Sequence, residues 1–201
     1  MMFENVEEVE LRGINARMRV EGWESDIVEV NYVTHGRVKV KTELKGRKLI
    51  VREEPERRIF GLNSGGAEIE VKLPVNVPLK VRNVNGTVII RGCRAEYLDT
   101  INGEIDARFT IAGPLRARTV NGRLNIVLEE IEGDIDVSTV NGDVNIRLSD
   151  FCDARISVRR VNGSVRFVGI DPEEPLIGSG TYKVEVKTVN GSVSVELAPQ
   201  P

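Results

Sequence analysis

Residues Thr139–Leu148 read TVNGDVNIRL, and the reading of this stretch decides the fold. Its Val-Asn-Gly recurs at 84–86, 120–122, 161–163 and 189–191, and Ile-Asn-Gly stands at 101–103. A catalytic motif serves one site and occurs once, so six copies point to structural punctuation. Superposing the copies extends the likeness: 133–148 (GDIDVSTVNGDVNIRL) matches 113–128 (GPLRARTVNGRLNIVL) and 180–197 (GTYKVEVKTVNGSVSVEL). Self-similarity at spacings near 20 residues is the signature of stacked repeats.

Parity on either side of the pair is informative. Ile135, Val137 and Thr139 lead in and Val144, Ile146 and Leu148 lead out, so all six can face one interior. The intervening Asp134, Asp136, Ser138, Asp143, Asn145 and Arg147 then face water. Two structures satisfy this pattern. Asn-Gly can be the two-residue loop of a hairpin, which leads to a β-sandwich, or it can be the corner of a β-solenoid coil. Both residues tolerate positive φ, which either turn can use. Six identical turns favour the solenoid, because asparagines in register can hydrogen-bond along a ladder. The expected corners are Asn85, Gly86, Asn102, Gly103, Asn121, Gly122, Asn141, Gly142, Asn162, Gly163, Asn190 and Gly191, with the copies stacked in chain order.

Outward from the repeats, residues 1–52 also alternate with period two, from Val9 and Leu11 through Ile14–Val20, Ile27–Tyr32 and Val38–Leu44 to Leu49 and Val51. Glycines at 13, 22, 36 and 46 separate the runs, which predicts five short strands. No apolar stripe of helical spacing exists, so the chain reads as all-β. The polar stretches 53–66 and 168–180 break the pattern and are expected to be exposed loops. Pro74 and Pro78 mark a soft boundary between an N-terminal strand region, 1–78, and six Asn-Gly repeats, 79–201, within one continuous domain. Pro199 and Pro201 resemble a cap on the C-terminal end of the stack.

The order of segments resembles the toast-rack family of β-strand repeat domains, adhesin-like proteins of unknown function whose hallmark is a repeated T-V-N-G-D-[VI]. Val20–Val30, VEGWESDIVEV, is similar to that family's early G-W-x-x-D-x-V-x-V, and Glu70–Lys80, EVKLPVNVPLK, to its segment entering the first repeat. The resemblance implies a stacked β architecture and a surface or envelope role. No catalytic residues come with it.

The remaining residues say little about chemistry. Of 201 residues only nine are aromatic, and 28 basic residues are balanced by 31 acidic ones spread through the chain. Neither the basic patch nor the stacking aromatics that nucleic acid would require are present, and the many Arg are expected to form surface ion pairs. His35, the single histidine, lies in an expected turn, Thr34–Gly36, with no second histidine for a dyad or a metal site. Cys93 and Cys152 match no metal or redox spacing and read as two reduced thiols, with a disulfide left open. Asp134, Asp136, Asp143, Asp150 and Asp153 could align in stacked coils, yet their spacing fits no Ca²⁺ loop. No nucleotide motif is present, so no cofactor is expected. The sequons at Asn85, Asn162 and Asn190 follow from the turn. The N-terminus, MMFENVEEVE, is not a secretory signal and no window spans a membrane, so a cytoplasmic protein is expected. Three functions fit: a non-enzymatic scaffold binding a protein or glycan, a self-assembling β-helical protein, and a polysaccharide-active enzyme.

Overall fold

The computed structural model describes residues 1–56 and 65–198. After a two-residue strand β1 (Met2–Phe3), the chain runs in successive pairs: β2 (Glu8–Arg12) and β3 (Ala16–Trp23), β4 (Val28–Gly36) and β5 (Val38–Lys45), β6 (Lys48–Pro55) and β7 (Gly65–Pro74), β8 (Leu79–Asn85) and β9 (Val88–Arg91). The pairs continue with β10 (Ala95–Asn102) and β11 (Ile105–Ala112), β12 (Leu115–Arg118) and β13 (Leu124–Ile131), β14 (Ile135–Asn141) and β15 (Val144–Leu148), β16 (Ala154–Asn162) and β17 (Val165–Val168). A short β18 (Leu176–Ile177) precedes β19 (Tyr182–Asn190) and β20 (Val193–Leu197).

The two members of every pair lie in different sheets. One ten-stranded sheet has the order β1-β4-β7-β3-β9-β11-β13-β15-β20-β17, and the other β18-β16-β19-β14-β12-β10-β8-β2-β6-β5. The strands flanking an Asn-Gly therefore never bond to each other, which excludes the hairpin sandwich. They pair in parallel with the equivalent strands of neighbouring coils: Asn141 opposes Asn190, Val144 opposes Val193 and Leu124 opposes Val144. The protein is a two-sheet β-solenoid, one strand of each sheet per coil.

Period-two alternation turns one face of each sheet inward, and equal residues then stack. Val81, Leu98, Ala117, Val137, Val186 and Val158 form one inner ladder, and Ile90, Ala107, Ile126, Ile146, Val195 and Phe167 form another facing it. The resulting apolar core is one cluster, running from Val6 to Val195. Each fully buried branched side chain contributes roughly 1.5–3 kcal/mol before chain entropy is counted.

The coils do not stack in chain order. The sixth repeat sits between the fourth and the fifth: β19 pairs with β14 on one side and β16 on the other, and β20 lies between β15 and β17. The 168–180 segment makes this possible. It leaves β17 at the end of the stack, returns as β18 antiparallel to β16, and is long enough to bring β19 back inside. A mirror of this arrangement exists at the other end, where β6 and β7 lie between β2/β3 and the antiparallel β5 and β4. Both sheets pass without interruption through Pro74–Pro78, since β8 bonds to both β2 and β10 and β9 to both β3 and β11.

Two expected loops are shorter than their sequence implies. Glu53–Pro55 complete β6, and Gly65 and Gly66 begin β7, while the rest of the 53–66 segment lies outside the described residues apart from Glu56. Thr34–Gly36 is not a turn but the end of β4, where His35 opposes Gly66 and stands 4.0 Å from Glu68. Pro199 and Pro201 also lie outside the described residues; β20, which precedes them, is inside the stack.

Candidate interaction surface

All six Asn-Gly pairs come to one corner of the solenoid, and they are joined there by a seventh asparagine. Asn85 Nδ2 donates to Asn15 Oδ1 (2.7 Å), Asn102 to Asn85 (3.0 Å), Asn121 to Asn102 (2.8 Å) and Asn141 to Asn121 (2.8 Å). Asn190 then donates to Asn141 (2.9 Å) and Asn162 to Asn190 (2.9 Å), completing a ladder that follows the spatial order of coils. Asn15 escapes a search for Asn-Gly because Ala16 follows it. Its signal is the broader pattern of aliphatic, Asn, small residue in Ile14-Asn15-Ala16.

The glycines answer to packing at all six corners and to dihedral freedom at three of them. None of the corner asparagines has positive φ; Gly86, Gly163 and Gly191 do (123°, 128° and 159°), whereas Gly103, Gly122 and Gly142 do not. A Cβ on Gly142 would instead sit on the carbonyl oxygen of Gly122, one on Gly122 on that of Gly103, and one on Gly191 on that of Gly142. Only hydrogen lets coils approach to the spacing of a sheet at this sharp corner. Two residues before each Asn, the inward Thr119, Thr139 and Thr188 are buried and donate to the carbonyls of Gly103, Gly122 and Gly142 (3.2–3.4 Å). Elsewhere the position differs: Asn83 occupies it before Asn85 and donates to Ala16 O (2.7 Å), Thr100 is buried without a hydrogen-bond partner among the described residues, and in the last coil Arg160, opposite Thr188, donates to Gly163 O (2.7 Å).

Parity then forces the residue between the inward threonine and the asparagine to face out. Ile14, Ile101, Val120, Val140 and Val189 are 38–44% exposed, and Val161 is 68% exposed, with Val84 half-buried in the same row. Six steps of about 4.8 Å make a continuous aliphatic ridge about 29 Å long, beside the asparagine ladder. Isolated surface valines need no explanation, but a contiguous row does. The ridge was readable from TVNG itself: if Thr139 points in, Val140 must point out.

The carboxylates are engaged in holding strands. Asp134 Oδ1 accepts from Lys183 N (2.9 Å), Asp143 Oδ1 from Ser192 N (2.8 Å), and Asp136 pairs with Arg116 (3.7 Å). Asp153 accepts from the hydroxyls of Thr181 and Ser179 and from Thr181 N, which hold it down at about 2 and pin the end of the 168–180 segment. Among the described residues no three His, Cys, Asp or Glu side chains come together in a metal-binding group. An open depression of about 600 Å³ on the second sheet is lined by Glu96, Arg116, Asp134, Asp136, Lys183 and Glu185. Burial raises Glu185, but Lys187, Lys183 and Arg159 outweigh it and leave this carboxyl below its ordinary range, the opposite of what a glycosidase proton donor needs. Arg108–Glu129 (3.1 Å), Arg147–Glu196 (3.0 Å) and Arg159–Glu185 (3.5 Å) continue the pattern of cross-coil ion pairs and break up any basic stripe. Cys93 and Cys152 are buried free thiols; burial pushes Cys93 up to about 12 and raises Cys152, so neither is a thiolate nucleophile.

No protein-family model matches the chain, and no curated protein matches it. Among solved structures, one described as a putative cell adhesion protein from Clostridium sporogenes ATCC 15579 is similar at a TM-score of 0.58 and 14% identity, covering 98% of this chain and 97% of that one. The two proteins share a fold. A second, described as a putative adhesin from Bacteroides fragilis NCTC 9343, has a TM-score of 0.43 and 10% identity, covering 97% and 95%. The likeness in fold extends over nearly the whole length of both chains.

Proposed function

We propose that this protein is a non-enzymatic interaction scaffold of adhesin-like type that binds an extended protein or glycan along the corner ridge. The observation that carries the reading is the row from Ile14 to Val161, in which each coil offers one exposed aliphatic side chain beside one amide at constant spacing. A rigid surface with a single repeated chemistry suits a partner that is itself extended, because every coil adds the same contact without any cost of ordering the scaffold. The shared fold with a putative cell adhesion protein supports the same class of role.

The test is capture by the intact chain from native lysate, with a glycan array in parallel, against a triple variant Val120→Asp, Val140→Asp, Val189→Asp. These side chains are already exposed, so folding and melting should be retained while capture is lost. Equal capture by both proteins, or none by the wild type, overturns the reading.

Self-assembly through the ends is the less favoured use of this fold. The terminal strands β5, β16 and β17 carry Lys41, Arg160 and Arg166 beside the ion-paired Lys39, Lys45 and Arg159, so end-to-end approach brings charged side chains into the seam. An exposed arginine such as Arg160, at a position of inward parity, also blunts an edge.

A further inference from the structure

The corner ladder has a direction, and its last rung is chemically different from the others. In the interior each glycine N–H donates to the asparagine carbonyl of the next coil: Gly86 to Asn102 (3.1 Å), Gly103 to Asn121 (3.1 Å), Gly122 to Asn141 (3.0 Å), Gly142 to Asn190 (3.0 Å) and Gly191 to Asn162 (3.0 Å). No coil lies beyond β16 and β17 at this corner, and among the described residues the Gly163 N–H has no backbone acceptor. Asn162 and Gly163 are both exposed, and the Asn162 side chain is held on one side only, by Asn190.

We infer that Asn162 is a site of spontaneous modification, converting to aspartate and isoaspartate in the folded protein while the other five Asn-Gly pairs are protected. In an Asn-Gly pair the glycine nitrogen can attack the asparagine Cγ, since no side chain on the glycine obstructs it. At this site the Gly163 nitrogen loses its proton and bonds to Asn162 Cγ, while the Cγ–Nδ2 bond breaks and ammonia leaves. Water then adds to the five-membered imide and opens it at either carbonyl. One opening restores the backbone with an aspartate, and the other routes the chain through the side-chain carbon.

For the five inner pairs the attacking nitrogen must first give up its bond to the next coil, and the Asn amide must leave a ladder in which it is both donor and acceptor. Such opening is suppressed inside a cooperative stack and least suppressed at its free end. The sequence does not mark Asn162 for this role, because all six pairs share Asn-Gly, and Asn190 is followed by the same Gly-Ser. Position in the stack makes the difference. The product introduces a carboxylate two residues from Arg160, at the end where Arg159, Arg160 and Arg166 are gathered.

The experiment is incubation of the intact protein near pH 8.5 and 37 °C, with peptide mapping of mass gain and isoaspartate at each Asn-Gly over time. Asn162 should convert at least about ten-fold faster than any other pair while the protein stays folded. In guanidinium chloride, with the stack dissolved, the six rates should converge to within a few-fold. Equal rates in the folded protein, a faster inner pair, no conversion at Asn162, or a preference for Asn162 that persists after unfolding each overturn the proposal.

Discussion

The four coils from β8 to β15 and the two from β16 to β20 are written in the same local grammar, yet only the first group stacks in chain order. In the middle, every strand has an equivalent strand on both sides, Thr119 and Thr139 reach the carbonyl of the coil below, and each corner glycine nitrogen reaches the carbonyl above. At the C-terminal end the chain crosses over itself, an arginine replaces the inward threonine, Val161 is the most exposed member of the ridge, and the Gly163 N–H has no backbone acceptor among the described residues. A repeat therefore specifies a coil and its corner, while its properties depend on how many neighbours it has.

The comparison breaks most directly at an inner corner. Gly142→Val forces a side chain onto the carbonyl of Gly122 and should cost on the order of 4 kcal/mol or prevent folding, whereas Asp143→Asn, at an exposed position, should cost under about 1 kcal/mol. Equal melting temperatures for the two would remove the close-approach role of the corner.

Core truncation measures the value of a second neighbour. Ile146, fully enclosed between Ile126 and Val195, should cost about 3 kcal/mol as Ile146→Ala, and the half-buried Phe167 in the last coil about 1–2 kcal/mol as Phe167→Ala, despite its larger ring. Urea titrations of both variants check the ranking, and a larger loss at Phe167 would mean that the end is as tightly packed as the middle.

At the N-terminal crossover the inserted β6 is tied to β2 by ions as well as by backbone. Glu10 is held down at about 2, first by the hydrogen bond from Arg12 (2.6 Å), against the opposing cost of burial, and then by Lys48 (2.7 Å). Because this carboxyl is depressed in the folded state, its contribution is complete above its ordinary value of 4.5 and is lost as the pH falls from there toward 2. The stability difference between wild type and Glu10→Gln should be on the order of 1–2 kcal/mol at pH 6 and shrink over that window, solvent around the exposed Arg12 and the half-buried Lys48 screening the rest. A pH-independent difference would show that the pair does not hold this coil.

The smallest effect should come from Arg160→Thr, which gives the last coil the inner residue of the others. Stability should change by less than about 0.5 kcal/mol, but light scattering should show self-association rising with concentration once this charge is gone. A variant that scatters like wild type would place the protection of this end elsewhere, in β18 and the 168–180 segment.

Much of this was legible in TVNGDVNIRL. Alternation predicted which six side chains face inward, and Thr139, Val144 and Ile146 do so. The six corners were visible as tripeptides, and positive φ accounts for glycine at Gly86, Gly163 and Gly191, but the carbonyl from another coil that excludes a side chain at all six corners is revealed by no local dihedral rule. Asn15 was hidden because its next residue is Ala16, and the exposed ridge was overlooked although the same parity implies it. His35 and the ends of 53–66 were misread because glycine and charge accompany strand ends as readily as turns.

By itself the sequence determined that this chain is all-β, that its strands turn at asparagine corners, and which side chains line the core, since these follow from a period of two and from residue chemistry over a few neighbours. Only the tertiary structure decided which coil lies beside which, and with it the completed asparagine ladder, the inserted sixth repeat and the orphaned N–H of Gly163. Coils meet through backbone hydrogen bonds and interchangeable Val, Ile and Leu ladders that would accept any neighbour. The order is therefore set by chain connections and edge fit across tens of residues, which no local pattern encodes.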